Sequence, residues 1–304
     1  MGENSKIEWC HHTFNPWVGC QKVSDGCKFC YAEEMMDKRY GKVEWGQQGT
    51  RQRTSDSNWR LPLSWNRRAE REGVRFRVFC ASLADVFEDR AELIPWRQEL
   101  FSLIEKTPHL DWLLLTKRPE NINDMVPAQW RNVNRWPLNV WVGTSVEDQE
   151  QAEKRIGHLV NVPARIRFLS CEPLLGPIDL ESMGCFAFHG SVLRLPALIH
   201  WVIVGGESGR HARPMHPDWA RSLRDQCQAA GVPYLFKQWG EWAPVATPRQ
   251  NHGQIITMDG NGSQNPATWA DVMIATGDVW GFERVGKHAA GRLLDGVEWS
   301  EFPG

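Results

Sequence analysis

The chain has 304 residues and a formal net charge of −2 at pH 7. Hydrophobic residues make up 41% and charged residues 24%, which excludes wholesale disorder and a chain-wide polycation for nucleic acid. No apolar stretch reaches the roughly 18 residues of a membrane-spanning helix. The sequence opens without a basic segment followed by an apolar core, so a cytoplasmic location is expected.

In chain order, the first informative segment is the cysteine run. Cys20, Cys27 and Cys30 fall within eleven residues, spaced as cysteine, six residues, cysteine, two residues, cysteine. Gly19 and Gly26 each precede a cysteine, where a loop turns tightly, and a helix is expected to begin at Tyr31. A chain this long without a secretory signal argues against a disulfide framework. Three converging thiolates instead call for a cation to offset their repulsion. Three readings stay open. One is structural zinc, with a fourth ligand from Cys10, His11 or His12. Another is an iron–sulfur cubane held by three cysteines, with one iron left for an exogenous ligand. The last is three reduced, buried thiols without metal.

Residues 35–75 carry ten Lys/Arg against five Asp/Glu, with Trp45, Trp59 and Trp65 interleaved. That composition suits phosphate contact and base stacking, and equally a solvated loop outside the regular rhythm of the chain. From there, short apolar β-rich runs recur at roughly 30-residue intervals, the length of a strand plus crossover helix. Strands are expected at 77–80, 112–115, 140–143, 166–170, 201–204 and 234–236, and amphipathic helices at 93–104, 146–159 and 218–230. Continuous apolar strands alternating with helices predict an α/β fold with a parallel sheet buried on both faces. The pattern divides the chain at 1–242, with residues 35–75 as a basic, Trp-containing insertion, and 243–304 as a C-terminal extension or lid. An irregular stretch, 174–196, interrupts one crossover.

The strand ends carry the polar candidates. They run into Ser82 and Asp85, then Thr116, Lys117 and Arg118, then Ser145 and Glu147. The later strands end in Glu172, in Gly205, Gly206 and Glu207, and in Lys237 and Gln238. Carboxyl ends of parallel strands are where α/β enzymes place their sites, and six polar ends in succession predict a shared functional face. Gly205-Gly206-Glu207 lacks the third glycine of a dinucleotide fingerprint. His211 and His216, nearby, read as surface loop residues.

The three-cysteine loop, with the aromatic Phe29 just before its last cysteine, resembles the cluster loop of the radical S-adenosylmethionine superfamily, although its first gap is six residues rather than three. Further segments sharpen the likeness: Lys6-Ile7-Glu8-Trp9, Cys30-Tyr31-Ala32-Glu33, Thr116-Lys117-Arg118-Pro119, Cys171-Glu172-Pro173-Leu174, Val204-Gly205-Gly206-Glu207 and Phe236-Lys237-Gln238-Trp239-Gly240. With Ala289-Ala290-Gly291-Arg292 in the extension, they resemble a phage-associated, radical-SAM-like family over nearly the whole chain. The resemblance implies a partial (β/α)6 TIM-like barrel with a C-terminal extension. It implies a [4Fe-4S] cluster on Cys20, Cys27 and Cys30, and S-adenosyl-L-methionine as second cofactor. Reductive cleavage of that cofactor gives a 5′-deoxyadenosyl radical that abstracts hydrogen from substrate.

Under this reading Phe29, Ser82, Asp85, Thr116, Ser145, Glu147, Gly205, Gly206 and Glu207 are candidates to bind the cofactor, and Lys117, Glu172 and Lys237 are candidates for catalysis. The expected partners are a nucleobase substrate, with a modified thymidine in phage DNA favoured, and a reducing electron donor such as a flavodoxin. The rival from another class is a non-catalytic zinc- or iron–sulfur-containing protein that binds nucleic acid.

Overall fold

In a computed structural model, the described residues are 2–188, 191–195, 197–245, 254–268, 271–272 and 277–304. The main sheet contains β1 (His12–Thr13), β4 (Phe76–Cys80), β5 (Leu110–Thr116), β6 (Val140–Ser145), β7 (Ile166–Cys171), β10 (Trp201–Gly205) and β11 (Tyr234–Gln238) in that order. Short strands β2 (Trp17–Val18) and β3 (Gln52–Arg53) form a separate antiparallel pair, and β8 (Cys185–Phe188) and β9 (Ser191–Arg194) another. The sheet is the curled, parallel half-barrel expected of a partial TIM-like barrel. All six expected strands are present. The seventh, β1, is two residues long and too short to leave a periodic signal, yet His12 and Thr13 pair in parallel with Val78 and Phe79.

By its internal contacts the chain divides into two compact units. The first comprises Met1–Ser145 and Arg155–Phe168. After a three-residue turn of helix α1 (Tyr31–Glu33) and a wider π-helical turn at Glu34–Arg39, the chain enters α2 (Asp56–Glu72). This helix corrects the expectation of a loop-like insertion, because half of the basic segment is the crossover from β1 to β4. Its buried face is Asn58, Trp59, Pro62, Trp65 and Ala69. An interior proline costs a helix about 3 kcal/mol. Burying large side chains such as Trp59 and Trp65 returns about 1.5–3 kcal/mol each, so packing carries the helix. Ser55 caps its start by accepting from the Asn58 amide at 3.3 Å, and Gly73, at φ 67°, closes its end. The core beneath is aromatic: Phe14 meets the edges of Trp59 and Trp112, with ring centroids at 5.4 and 5.6 Å. Helices α3 (Ile94–Glu105) and α4 (Ile122–Met125) follow β4 and β5.

The second unit comprises Val146–Lys154 and Leu169–Gly304, and α5 (Gln149–Val160) begins in it. Helix α6 (Pro217–Ala230) turns Trp219, Ala220, Leu223 and Cys227 inward and ends on Gly231, at φ 66°. The extension holds an antiparallel sheet of β12 (Trp242–Val245), β15 (Trp280–Arg284), β13 (Ile255–Met258) and β14 (Gln264–Pro266), in that order, followed by the short α7 (Lys287–Ala290). Residues 246–253, 269–270 and 273–276 of the expected extension lie outside the described residues. The final segment runs along β11: Phe236 N–H donates to the Trp299 carbonyl at 3.0 Å, and Glu301 N–H to the Tyr234 carbonyl at 3.2 Å. This bonding covers an edge that would otherwise expose unpaired backbone groups. No described helix is long and apolar enough to cross a membrane.

Candidate functional site

The cysteine loop is fastened to the ends of β4 and β5. Gly19 N–H donates to the Leu83 carbonyl at 3.0 Å, and Gly46 N–H to the Cys20 carbonyl at 3.0 Å. Gly19 is required on two counts. Its φ is +111°, and a Cβ there would stand 2.6 Å from the Thr50 carbonyl oxygen. Asn15, fully buried, braces the turn after β4: its Oδ1 accepts from the Leu83 amide at 2.7 Å and its Nδ2 donates to Ser82 Oγ at 3.0 Å. Tyr31, just after the last cysteine, donates its hydroxyl to the Ser82 carbonyl at 2.6 Å.

Two buried arginine–carboxylate pairs stand behind the loop. Arg51 binds Glu88 in a two-pronged pair, Nε to Oε2 at 2.7 Å and Nη2 to Oε1 at 2.6 Å, with both side chains almost wholly shielded from solvent. Arg51 also donates to the carbonyls of Thr50 and Gly46, and Gly46 in turn holds Cys20. Arg118, at the end of β5, donates to Asp85 Oδ2 at 2.8 Å and to the Gln21 carbonyl at 3.0 Å. Its Nη1 lies 3.8 Å from Cys20 Sγ. Asp85 further accepts from Thr116 Oγ1 at 2.6 Å and from the amides of Phe87 and Lys117.

This environment sets the thiols. Burial, then the Asp85 charge, pushes Cys20 up to about 12, while Arg118 pulls the other way. Burial raises Cys30 as well, opposed first by the backbone amides of Glu33 and Ala32 and then by the Lys117 charge. Burial works against the charge on Arg118, yet Asp85 holds its pKa above the usual arginine value. In the absence of metal the Cys20 and Cys30 thiols are therefore neutral at pH 7, and a bound cation would take them as thiolates. None of the cysteines is in a disulfide.

Among the described residues, no three His, Cys, Asp or Glu side chains converge closely enough to hold one metal ion. A single zinc needs every ligand within about 2.0–2.3 Å of one point. The proposed fourth ligands are also occupied elsewhere. His11 Nδ1 accepts from the Arg77 amide at 2.8 Å, and His12 Nδ1 faces the Asn4 amide at 3.3 Å while its ring stacks on Trp65. Cys10 is buried. Three thiols on one loop are the soft donors that an iron–sulfur cluster takes.

The expected strand-end residues fall into two groups. In the first unit, Ser82, Asp85, Thr116 and Lys117 gather around the cysteine loop, with Phe29 half-buried beneath the Lys28 ammonium, 5.5 Å from its ring centre. Asp85 and Thr116 bond to one another. Ser145 is buried at the end of β6, its carbonyl taken by Arg155 at 2.8 Å. In the second unit, Lys237 and Glu172 form an ion pair of 2.5 Å at the ends of β11 and β7, both partly exposed. Gly205 lies under Glu172, where a Cβ would touch the carboxylate at 3.3 Å. Gly206 packs against the backbone of Trp239, and a Cβ would reach its carbonyl oxygen at 1.9 Å. Glu207 is held by Arg213, Nε to Oε2 at 2.8 Å and Nη2 to Oε1 at 2.7 Å. Glu147 is fully buried. His216, expected at the surface, is buried instead, with its Nε2 2.8 Å from the Asp278 carbonyl, whereas His211 is exposed. Sequence reasoning gave no role to Arg51, Glu88 or Asn15, and left Arg118 as one polar strand-end residue among several. Their signal was only a polar residue near a strand end, which most loops share.

No curated protein matches the chain. Among solved structures, a spore photoproduct lyase variant with a dinucleoside spore photoproduct is similar at 10% identity, over 83% of this chain and 69% of that one, with a TM-score of 0.41. A second spore photoproduct lyase variant is similar at 10% identity over 90% and 72%, with a TM-score of 0.43. A family model described as "Protein of unknown function (DUF5131)" matches residues 4–303, and over that nearly complete span the chain belongs to the DUF5131 family.

Proposed function

We propose that the chain is a radical S-adenosylmethionine enzyme acting on a nucleobase, with a modified thymidine in phage DNA as substrate. The observation that carries this reading is the loop of Cys20, Cys27 and Cys30, fastened by Arg118 to the carboxyl end of a half-open parallel barrel. Cys20, Cys27 and Cys30 hold the cluster. Bound together, a [4Fe-4S] cluster and S-adenosyl-L-methionine supply one-electron cleavage to methionine and a 5′-deoxyadenosyl radical able to take hydrogen from an unactivated carbon.

The chain's own residues bind, orient and exclude water. Phe29, Ser82 and Ser145 are the residues assigned to the cofactor, whereas the Thr116 hydroxyl is taken by Asp85. Gly205 and Gly206 act through close packing, Gly205 beneath the Glu172 carboxylate and Gly206 on the Trp239 backbone, while Asp85 and Glu207 act through the arginines they hold. Lys117, and the Lys237–Glu172 pair, are assigned to the substrate, where an ammonium beside a carboxylate can give or hold a proton at Nζ. For DNA, the exposed ring of Tyr40 is flanked by the Arg39 and Lys42 cations at 5.5 and 6.0 Å, a combination suited to stacking and phosphate contact. A base inside a duplex would have to be flipped or presented single-stranded. The electron comes from a small reducing protein of the flavodoxin class.

The test is anaerobic reconstitution with iron and sulfide, followed by S-adenosylmethionine, dithionite and an assay for 5′-deoxyadenosine. Production that disappears in Cys20→Ala, Cys27→Ala and Cys30→Ala is the expected result. A colourless protein that binds zinc and makes no 5′-deoxyadenosine would move the assignment to a nucleic-acid-binding role.

A further inference from the structure

The guanidinium of Arg118 is buried, with 8% of its side chain exposed, and the Asp85 carboxylate facing it is equally shielded. Asp85 neutralises it from one side at 2.8 Å, and the Gln21 carbonyl fixes its second nitrogen at 3.0 Å. The remaining direction of Nη1 leads to Cys20 Sγ at 3.8 Å. A guanidinium cannot lose its proton under ordinary conditions and cannot turn away while both anchors hold. Asp85 is itself fixed by Thr116 Oγ1 and by the amides of Phe87 and Lys117, so the whole relay from β5 to the loop is rigid.

We propose that Arg118 is a positioning residue that sets the reduction potential of the group held by Cys20, Cys27 and Cys30, by directing a fixed cationic N–H at one of its three thiolates. This rests on the iron–sulfur reading of the loop. One-electron reduction by dithionite adds one negative charge to the cluster and moves no proton. A cation and donor beside a sulfur stabilise the more negative, reduced state. Removing the cation therefore makes reduction harder. Asp85, bonded to the same Nη1 of Arg118, acts in the opposite sense, and neutralising it leaves a less compensated cation beside Cys20. The two changes are expected to move the potential in opposite directions, which general loosening of the loop would not do.

The experiment is a redox titration of the reconstituted protein, following the reduced cluster by electron paramagnetic resonance, with iron and sulfide counted for each sample. Arg118→Gln is expected to keep its iron and to lower the reduction equilibrium constant about tenfold, a shift of about 59 mV for one electron. Arg118→Lys, which keeps the charge without the fork, is expected to shift less than half as far, and Asp85→Asn to shift upward. An Arg118→Gln protein with full cluster content and an unmoved potential overturns the proposal. If Arg118→Gln does not fold or load, Arg118→Lys and Asp85→Asn decide: potentials that both stay put, or both fall, overturn it. Should the parent protein take up no iron, or Cys20→Ala hold as much as the parent, the cluster reading itself fails, and the role of Arg118 falls with it. A loaded parent with indifferent variants refutes the role of Arg118 alone.

Discussion

Glu88→Gln is expected to destabilise the chain by about 3 kcal/mol and to speed loss of iron from the cysteine loop. The side chains of Arg51 and Glu88 are 0% and 2% exposed, so water cannot replace a lost partner. Gln keeps the shape and one acceptor, but it leaves a guanidinium in the interior without its countercharge. Breaking a buried pair from one side costs about 3–5 kcal/mol, and the retained carbonyl places this substitution at the lower end. Removing both members with Arg51→Met and Glu88→Leu is expected to recover about half of that. The buried charge is gone, but the Thr50 carbonyl, now held at 2.8 Å, loses its charged donor at about 1.5–3 kcal/mol, while the Gly46 carbonyl keeps the Gly49 amide at 3.1 Å. The assay is urea unfolding followed by circular dichroism, together with the rate of iron release to a chelator. The link to the loop runs through Gly46, whose amide holds the Cys20 carbonyl. A loss under 1 kcal/mol, or a double variant no better than Glu88→Gln, would refute the reasoning.

Two further outcomes follow from single contacts. His12 is buried, stacked 4.3 Å from Trp65, and burial followed by the Arg68 charge lowers its pKa from 6.5 to about 4. The unfolded chain takes the proton first as pH falls, so stability is complete above pH 6.5 and declines by up to about 3 kcal/mol towards pH 4. His12→Gln should flatten that slope in urea titrations at several pH values, and an unchanged slope would assign the acid sensitivity to other groups. Gly206→Ala is expected to cost about 3 kcal/mol, because its Cβ would lie 1.9 Å from a backbone oxygen that has no rotamer to escape into. A thermal midpoint within about 2 °C of the parent would show that the 205–207 turn gives way more easily than its packing implies.

The strands were legible because each is a short, nearly continuous apolar run that stands out, leucine-rich in Leu110–Thr116 and β-branched in Trp201–Gly205. Helix α2 was not. Only Trp59, Pro62, Trp65 and Ala69 mark its apolar face, and the Arg-rich remainder with an interior proline reads like a basic loop. The three cysteines declared themselves by spacing, and their surroundings did not. Asp85 and Thr116 looked like two separate strand-end groups available to a ligand, but they bond to each other at 2.6 Å, which only the register of β4 with β5 reveals. His216 read as a surface residue because nothing local shows that the Asp278 carbonyl, 62 positions later, receives its ring. Contacts between distant segments have no signature at the sequence spacing of either partner.

The two arginine pairs raise a question of design, since apolar residues of the same volume often stabilise an interior as well or better. Here the alternative is closed by the backbone. The loop 19–21 and the strap 46–50 turn too sharply for sheet bonding, and the carbonyls of Gln21 and Thr50 take a guanidinium N–H instead. A hydrogen bond from a charged donor contributes about 1.5–3 kcal/mol, and no Leu or Met could supply one. Arg51 and Arg118 can, because a guanidinium carries five N–H groups in one plane and can serve a carboxylate and carbonyls together. Glu88 and Asp85 then follow as the countercharges that make each arginine tolerable inside. Both carboxylates sit on the same turn after β4, three residues apart, so one segment clamps the loop from two directions. The prediction is specific to geometry rather than charge: exchanging either arginine for lysine keeps the ion pair but abandons at least one carbonyl, and should weaken the grip on Cys20 even where the chain remains folded.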